Sequence, residues 1–394
     1  MLNNLKPQPE DKILGLAKMY RADERAHKID LGVGVYKDPN GLTPVMRAIK
    51  AAEKQLWENE NTKTYTSLTG DTGFHQTMAD LVLGHSVSTD RLAFAATPGG
   101  TGAVHQILEL VQLTGGSPTV WVSDPTWPNH LSILKHLKME TKPYRYFDRA
   151  TGSVDFDNMI ADLETAAEGD VVLLHGCCHN PTGANLNHTQ WKTVTDLILR
   201  KNLLPFIDIA YQGFGDGLED DAYGTRLLAS KVPEMLIAAS CSKNFGIYRE
   251  RTGLVIAISA NAKDQAVTQG SLAYVNRQNF SFPPDHGARL VTMVLSEPAM
   301  RADWQAELEQ VRNGMLETRA KLAAALQEAS GSNRFGFLAE HRGMFSRLGA
   351  TPEQVAKLRE EHAIYMIGDS RMNIAGITEK SIPILAKAFI EAGV

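Results

Sequence analysis

The chain has 394 residues, of which 43% are hydrophobic and 22% are charged, as is ordinary for a globular protein with a large core. Its formal net charge of −5 is spread without long runs, which argues against nucleic acid or an anionic membrane as a partner. Three cysteines without a C-x-x-C pair, no signal-peptide pattern and no apolar stretch of about 18 residues predict a cytoplasmic protein.

An amphipathic helix is predicted near the start of the chain, over residues 10–26. From about 90 to 260, short apolar runs alternate with helical patterns. Runs of this kind, buried on both faces and separated by helices, are typical of a mostly parallel sheet in an α/β domain. The predicted strands are 92–96, 119–123, 170–174, 204–209, 236–240 and 253–258.

The pattern changes near residue 300, where apolar residues at helical spacing predict one long helix over about 298–329. Strands near 344–346 and 363–367 and helices over 352–362 and 379–392 follow it, as in a smaller α+β domain. We therefore predict three parts. They are an amino-terminal arm with part of the small domain (1–43), a large α/β domain (44–298), and a long connecting helix with the rest of the small domain (299–394).

The motif Ser-Lys-Asn-Phe-Gly at 242–246 follows an apolar run, so Lys243 is predicted just past the carboxyl end of a strand. Open α/β sheets place their sites at such ends. A lysine there, among serines and near Arg251, can lose its proton and attack a carbonyl carbon. A lysine in a surface loop is the alternative for this motif alone.

Two more motifs follow predicted strands. The glycine-rich turn at 97–103 opens a helix, so its backbone N–H groups could close around an anion, or the turn could be a plain connection. Trp127 stands between prolines after the next strand. It could cover a flat aromatic ligand or pack in the core.

The stretch His-Gly-Cys-Cys-His-Asn-Pro-Thr-Gly at 175–183 has four potential metal ligands within five residues. Adjacent residues of an extended chain point to opposite sides, so these ligands cannot all converge on one ion and we predict no metal site. Asn180 is better explained as an amide that a rigid turn presents to a ligand.

Asp208 is a carboxylate within an apolar strand, which is costly unless a cation meets it. Asp208 either forms a structural salt bridge within the protein or binds a protonated ring nitrogen of a cofactor. Tyr211, three residues later, could project into the same space. Arg371 could bind a carboxylate bidentately, although a single arginine is usually just solvated.

Together, these groups describe one ligand with a phosphate, a flat ring that carries a nitrogen and an oxygen, and a carbonyl. Pyridoxal phosphate has all of these features, and few other cofactors do. The groups would be the glycine turn with Ser240, Ser242 and Arg251 for the phosphate, Trp127 for the ring face, Asp208 for the ring nitrogen, Asn180 and Tyr211 for the ring oxygen, and Lys243 for the carbonyl.

With these residues assembled, the chain resembles the class I pyridoxal-phosphate aminotransferases, in the aspartate/aromatic branch. The resemblance extends from Leu-Gly-Val-Gly-Val-Tyr at 31–36 to Asn-Ile-Ala-Gly at 373–376, in the order of the family. It implies the fold type I architecture and a homodimer with shared active sites, in which the amino-terminal arm embraces the partner.

The resemblance also implies roles for individual residues. Lys243 would bind the cofactor aldehyde and later shuttle the proton, while Asp208, supported by His130, would keep the ring nitrogen protonated. Gly100, Thr101, Ser240, Ser242 and Arg251 would bind the phosphate, joined by Tyr65 from a second subunit. The implied catalytic residues are Lys243, Asp208, Tyr211 and Trp127, and the implied substrate-binding residues are Gly34, Trp127, Asn180, Arg277 and Arg371.

Arg277 matches the family arginine that reaches across the dimer to a side-chain carboxylate, which implies that aspartate and glutamate are accepted. Thr64 and Phe282 stand where strict aspartate enzymes carry asparagine, and the less polar rim should help an aromatic ring bind. The implied activity is transfer of the amino group of tyrosine, phenylalanine or tryptophan to 2-oxoglutarate.

A strict aspartate aminotransferase is the alternative to this activity. A lyase or decarboxylase on the same fold, and a catalytically silent cofactor-binding regulator, are less favoured because the substrate clamp and the catalytic residues are intact.

Overall fold

A computed structural model describes residues 1–8, 10–38 and 40–394. The chain divides into two compact units, one of Met1–Thr43 with Met315–Val394 and one of Pro44–Gly314. The predicted boundary at residue 299 lies at the start of the long helix, whereas this division falls inside that helix. Among the described helices, none has the length and apolar character that crossing a membrane requires.

The described residues form 15 α-helices. They are α1 Lys12–Ala22, α2 Arg47–Asn59, α3 Thr72–Leu83, α4 Gly99–Leu113, α5 Pro128–His136, α6 Phe156–Leu163, α7 His188–Lys201, α8 Leu218–Asp221, α9 Tyr223–Lys231, α10 Ala262–Asn279, α11 His286–Ser296, α12 Pro298–Ser330, α13 Phe337–Glu340, α14 Pro352–His362 and α15 Ile382–Glu391.

The same part of the chain contains 13 strands. They are β1 Ile29–Asp30, β2 Leu92–Pro98, β3 Val120–Asp124, β4 Thr141–Arg145, β5 Phe147–Asp148, β6 Ser153–Val154, β7 Val171–His175, β8 Leu204–Ile209, β9 Met235–Ser240, β10 Thr252–Ile258, β11 Phe345–Arg347, β12 Ile364–Tyr365 and β13 Arg371–Asn373.

The larger unit is built on a seven-stranded sheet in the order β2-β10-β9-β8-β7-β3-β4. From β9 through β8, β7 and β3 to β4 all neighbours are parallel, and only β10 runs against its neighbours. Every residue of β9 and β10 is buried, because helices cover both faces of the sheet. The predicted α/β fold with a mostly parallel sheet is confirmed.

The register of this sheet brings several strand ends to one edge. His175 at the end of β7 pairs with Asp208 near the end of β8, and Asp208 in turn pairs with Ala238 of β9. On β10, Gly253 pairs with Ser240 and Thr252 pairs with Pro98. The segments that follow β7, β8 and β9, and the start of α4 after β2, therefore leave the sheet at the same edge, which is where ligands bind in such folds.

Local sequence signals explain where the helices on this sheet begin and end. Helix α7 begins with a capping box, in which Asn187 and Gln190 each accept a hydrogen bond from the other's backbone N–H. It ends at Asn202, whose φ of 50° is left-handed and suits asparagine. Gly99 starts α4 with a φ of 72°, a conformation that glycine adopts without strain.

The smaller unit has its own apolar core between the carboxyl-terminal half of α12 and helices α14 and α15. Its two short sheets pair β1 with β12 in parallel and β11 with β13 in antiparallel orientation. Leu31, which follows β1, is completely buried in this core together with Leu322 and Leu326 of α12. The amino-terminal segment is thereby part of the same unit as the last 80 residues.

Candidate active site

Lys243 lies in the turn after β9, where it is half-buried. Its Nζ atom is 4.9 Å from the centroid of the Tyr211 ring. Burial lowers the pKa of the Lys243 amine; the charge of Asp208 opposes this shift, and the charge of Arg251 adds to it. A lysine with a lowered pKa is more often unprotonated, which makes it a better nucleophile.

The turn that carries Lys243 is held by α12. The Trp304 indole N–H donates to the carbonyl oxygen of Asn244 at 2.7 Å. The Trp304 ring also stacks on Phe245, with centroids 4.6 Å apart and an angle of 4° between the planes. Both aromatic side chains are completely buried, so the residues directly after Lys243 are fixed by packing as well as by a hydrogen bond.

Behind the lysine, a chain of hydrogen bonds starts at Asp208 on β8. Asp208 Oδ2 lies 2.8 Å from His130 Nε2, and His130 Nδ1 lies 2.9 Å from Thr126 Oγ1. Thr126 Oγ1 is in turn 3.2 Å from His175 Nε2. Asp208 and His175 lie in the neighbouring strands β8 and β7, and Thr126 and His130 lie in the loop and helix after β3, so the sheet edge sets the direction of the Asp208 carboxylate.

The electrostatics of this chain keep Asp208 negative. Burial by itself raises the pKa of the Asp208 carboxyl, but the hydrogen bond from His130 and the nearby positive charges outweigh it and leave the pKa below its ordinary value. Burial lowers the pKa of His175 to about 3, so that ring is neutral at physiological pH. A buried carboxylate that is charged and aimed at the site is suited to hold a cationic group.

Asn180 and Tyr211 approach each other from the segments that follow β7 and β8. Asn180 Nδ2 is 3.5 Å from the Tyr211 hydroxyl, while Asn180 Oδ1 is buried and has no hydrogen-bond partner within the described chain. His179 fixes the loop before Asn180, with ring nitrogens 2.9 Å from Ser123 Oγ and 2.9 Å from Thr182 Oγ1. A buried polar atom that lacks a protein partner is typical of a group that hydrogen-bonds to a ligand.

The predicted phosphate-binding residues meet at the start of α4. The Arg251 guanidinium donates to Ser242 Oγ at 3.3 Å and to the Pro98 carbonyl oxygen at 3.4 Å. A Cβ atom on Gly99 would lie only 2.4 Å from Arg251 Nη2, and one on Gly100 would lie 3.0 Å from Ser240 Cβ. The glycines therefore let a cation and two serines approach the helix end, whose free N–H groups attract anions. Thr101 follows in the first turn of the same helix.

Trp127 caps the amino terminus of α5 in the loop after β3. Its ring centroid is 5.1 Å from that of His130, and the two planes are nearly perpendicular at 85°. The indole is only half-buried. Part of the Trp127 side chain is thus exposed next to the histidine that contacts Asp208.

Tyr65 and Arg277 meet at Phe282. The Tyr65 ring stacks on Phe282 with centroids 4.6 Å apart, although 80% of Tyr65 is exposed. The Arg277 guanidinium carbon is 5.8 Å from the Phe282 centroid, and the guanidinium also donates to Ser281 Oγ. The residues that the resemblance assigns to a neighbouring subunit's site therefore form one cluster, with an aromatic ring beside a positive charge.

In the smaller unit, Arg371 on β13 and Gly34 share one neighbour, Phe345 of β11. Arg371 is buried, donates to the Gly32 carbonyl oxygen at 2.9 Å, and has its guanidinium carbon 4.5 Å from the Phe345 ring centroid. A Cβ atom on Gly34 would lie 2.8 Å from Phe345 Cζ. Phe345 thus holds the arginine against the glycine segment. Sequence reasoning misses it because an apolar residue in a short strand carries no chemical signal.

Sequence reasoning also misses the part that Thr126 and His175 play behind Asp208. The sequence marks His175 only as a possible metal ligand. Its position as the last residue of an apolar run, one strand away from Asp208, was the signal that the two could share an edge of the sheet. Thr126 carries no signal, since its contacts depend on the turn of the loop after β3.

Comparison with known proteins agrees with this geometry. Residues 26–389 match the family model for aminotransferases of class I and II. The chain is 59% identical to an aromatic-amino-acid aminotransferase of Paracoccus denitrificans over the full length of both chains, and 42% identical to the aspartate aminotransferase of Escherichia coli over 99% of each. A solved aromatic amino acid aminotransferase with 3-indolebutyric acid superimposes with a TM-score of 0.98, at 59% identity over the whole of both chains.

A family match over most of the chain, full-length relatives and a nearly identical fold all point to one group of enzymes. The chain belongs to the class I and II aminotransferases, and it is an aminotransferase that depends on pyridoxal phosphate.

Proposed function

We propose that the protein transfers the amino group of tyrosine, phenylalanine or tryptophan to 2-oxoglutarate, and that it also accepts aspartate and glutamate. The observation that carries the aromatic preference is the stack of Tyr65 on Phe282 beside Arg277. It combines an apolar aromatic surface with a cation, as a site for both kinds of side chain requires. The full-length likeness to the Paracoccus aromatic enzyme supports the same choice.

The residues at the sheet edge fit pyridoxal phosphate. The buried oxygen of Asn180 has no hydrogen-bond partner among the described residues, and the Gly99–Gly100 cradle under Arg251 leaves no room for side chains. We propose that the cradle, Thr101, Ser240, Ser242 and Arg251 hold the phosphate, with Tyr65 of a second subunit. In the same proposal Asn180 and Tyr211 hold the ring oxygen, and Trp127 covers the ring.

When bound, the cofactor supplies a carbonyl for the substrate amine and a ring that takes up electrons from the α-carbon. Asp208 keeps a cationic ring nitrogen charged, since its own carboxyl stays ionised beside His130. Lys243 Nζ would remove the α-proton of the substrate and later return it, as its lowered pKa allows. The centroid of the Tyr211 ring is 4.9 Å from Lys243 Nζ, so the ring limits the positions that this amine can take.

Substrate recognition is proposed to use two arginines. Arg371, fixed by Phe345 and the Gly32 carbonyl, would bind the α-carboxylate bidentately with help from Gly34 and Asn180. Arg277 would bind the side-chain carboxylate of aspartate, glutamate and 2-oxoglutarate. An aromatic substrate would instead contact the face of Phe282.

We further propose a homodimer with shared active sites in the cytoplasm. Trp57 and Tyr65 are exposed by 82% and 80% in the single chain, which is unusual for large aromatic side chains and fits a surface that a second subunit covers. All three cysteines are buried and none forms a disulfide, as expected in a reducing compartment.

Removing Arg251 should weaken cofactor binding. Arg251→Ala removes the charge-assisted hydrogen bonds to the phosphate. Because a hydrogen bond to a charged group contributes about 1.5–3 kcal/mol, the variant should bind the cofactor roughly 10- to 100-fold more weakly. Equilibrium dialysis measures the effect directly. Arg249→Ala is the matched control, because Arg249 is exposed and two residues away. Equal retention of the cofactor by both variants would contradict the assignment.

The ratio of kcat/KM for phenylalanine to that for aspartate, with 2-oxoglutarate as common acceptor, tests the proposed activity. We expect both values to be substantial in the wild type. Phe282→Asn should lower the ratio by about 10-fold, because it exchanges apolar surface for an amide, whereas Phe282→Leu should change it less. A wild-type phenylalanine value thousands of times below that for aspartate would favour the strict aspartate aminotransferase.

A further inference from the structure

Two adjacent thiols and a carboxylate converge beneath the loop that carries Asn180. Cys177, Cys178 and Asp221 are all buried, and one ligand atom of each lies within 4.8 Å of the others. The mechanism proposed above uses none of the three. Cys177 and Cys178 follow β7, while Asp221 ends the short helix α8.

The backbone explains why neighbouring cysteines can face the same space. Side chains alternate only in an extended chain, and this was the reason to expect no metal site in this stretch. Cys178 has a φ of 50°, which is left-handed, so the premise of an extended chain does not hold at this residue. Its side chain turns toward the segment after β8, with Sγ 3.9 Å from the Tyr211 carbonyl oxygen.

Asp221 is held in place by backbone N–H groups. Oδ2 accepts from Gly213 at 2.8 Å and from Gly215 at 2.9 Å, and Oδ1 accepts from Asp216 at 2.9 Å. Oδ1 thus keeps lone-pair capacity for another partner. A Cβ atom on Gly215 would lie 2.3 Å from Asp221 Oδ1 and 3.2 Å from Cys178 Sγ. Only glycine lets this loop pass so close to both ligand atoms.

We propose that Cys177, Cys178 and Asp221 form a binding site for a thiophilic divalent cation of the zinc and cadmium class. Such an ion takes four ligands in a tetrahedron, whose ligand atoms lie about 3.8 Å apart when two are sulfur. The three ligand atoms already lie within 4.8 Å of one another, so small side-chain rotations bring them to this spacing. Binding forms two metal–sulfur bonds and one metal–oxygen bond, and the two thiol protons leave to solvent.

The fourth ligand is available from a cavity of about 640 Å³ that Cys177 and Asp221 help to line. The wall of the cavity also includes His188, Asp216 and Asp220, so it is polar and can hold water. An ion can therefore enter from this side, and one water molecule completes the tetrahedron.

An ion at this position joins two segments of the site. Cys178 leads into Asn180, and Asp221 closes the loop that starts at Tyr211. We therefore expect the ion to stabilise the holoenzyme against heat, without taking part in amino transfer.

The test uses chelator-treated holoenzyme dialysed against Cd²⁺. We expect one ion per chain and an ultraviolet absorption band from sulfur-to-cadmium charge transfer. Cys178→Ser should lower the affinity at least about 100-fold and remove the band, since a hydroxyl is a poor ligand for a soft ion. Cys241→Ser is the matched control, because Cys241 is equally buried but contacts Met78 Sδ, and it should bind as the wild type does.

A second measurement needs no variant and covers the case in which Cys178→Ser does not fold. X-ray absorption at the zinc edge of the wild-type holoenzyme should give about two sulfur neighbours near 2.3 Å. A shell of nitrogen and oxygen alone, or equal cadmium binding by the two cysteine variants, would overturn the proposed site. Neither readout depends on transaminase activity, so the site can fail while the enzyme function stands.

Discussion

Lys243→Ala should lower kcat by at least about 10⁴-fold, the largest effect of any single substitution in this chain. The variant loses both the amine that attacks the carbonyl and the base that moves the α-proton, and the second role alone is commonly worth 10²–10⁴-fold. Steady-state assays with phenylalanine and with aspartate measure the loss. Both substrates should be affected alike, because the lysine acts on the α-carbon that they share.

Lys231→Ala is the control for the loss of one lysine, since Lys231 is exposed at the end of α9. It should retain wild-type kcat. Borohydride should attach the cofactor covalently to the wild type and to Lys231→Ala but not to Lys243→Ala. If Lys243→Ala turned over at a near-normal rate, the lysine would have neither role.

Asp208→Asn should have the second largest effect, lowering kcat by about 10²–10⁴-fold. The amide keeps the size of the side chain and can still bond to His130, but it carries no charge to hold the ring nitrogen protonated. The pKa of the Asp208 carboxyl lies below its ordinary value, so the wild type keeps this charge throughout the neutral range and loses it only as the pH falls through that lowered pKa.

Asp208→Glu keeps the charge and serves as the control, and it should retain more activity than Asp208→Asn despite its longer side chain. The pH profile shows whether a variant loses activity because the negative charge is gone or because the shape of the side chain has changed. If charge is the cause, ionisation of Asp208 should contribute no fall in wild-type activity between neutral pH and its lowered pKa, and Asp208→Asn should be low throughout. Equal rates for Asp208→Asn and Asp208→Glu would show that the charge is unimportant.

The central sheet was predictable from the sequence because its strands are apolar on both faces. The predicted strand 204–209 matches β8 residue for residue, and 92–96 falls within β2. The edge strand β4 was missed. It is mostly exposed and contains Pro143, which an edge strand tolerates but which argues against a strand when only the sequence is seen.

The candidate groups of the larger unit were predictable where each follows an apolar run, because parallel strands end at one edge. Lys243, Asp208 and Asn180 are of this kind. The left-handed backbone of Cys178 could not be predicted from the sequence, because a positive φ at a residue other than glycine depends on the packing of a whole loop. The strand β13 around Arg371 was missed as well, because polar Arg371 and Asn373 flank a single apolar residue and no apolar run marks it.

The most direct test is a half-reaction on the purified wild type loaded with pyridoxal phosphate. Phenylalanine, added alone, should remove the absorbance of the bound aldehyde form, and 2-oxoglutarate should restore it, with the same cycle for aspartate. An absorbance that neither amino acid changes, in protein that has bound the cofactor, would contradict amino transfer through Lys243.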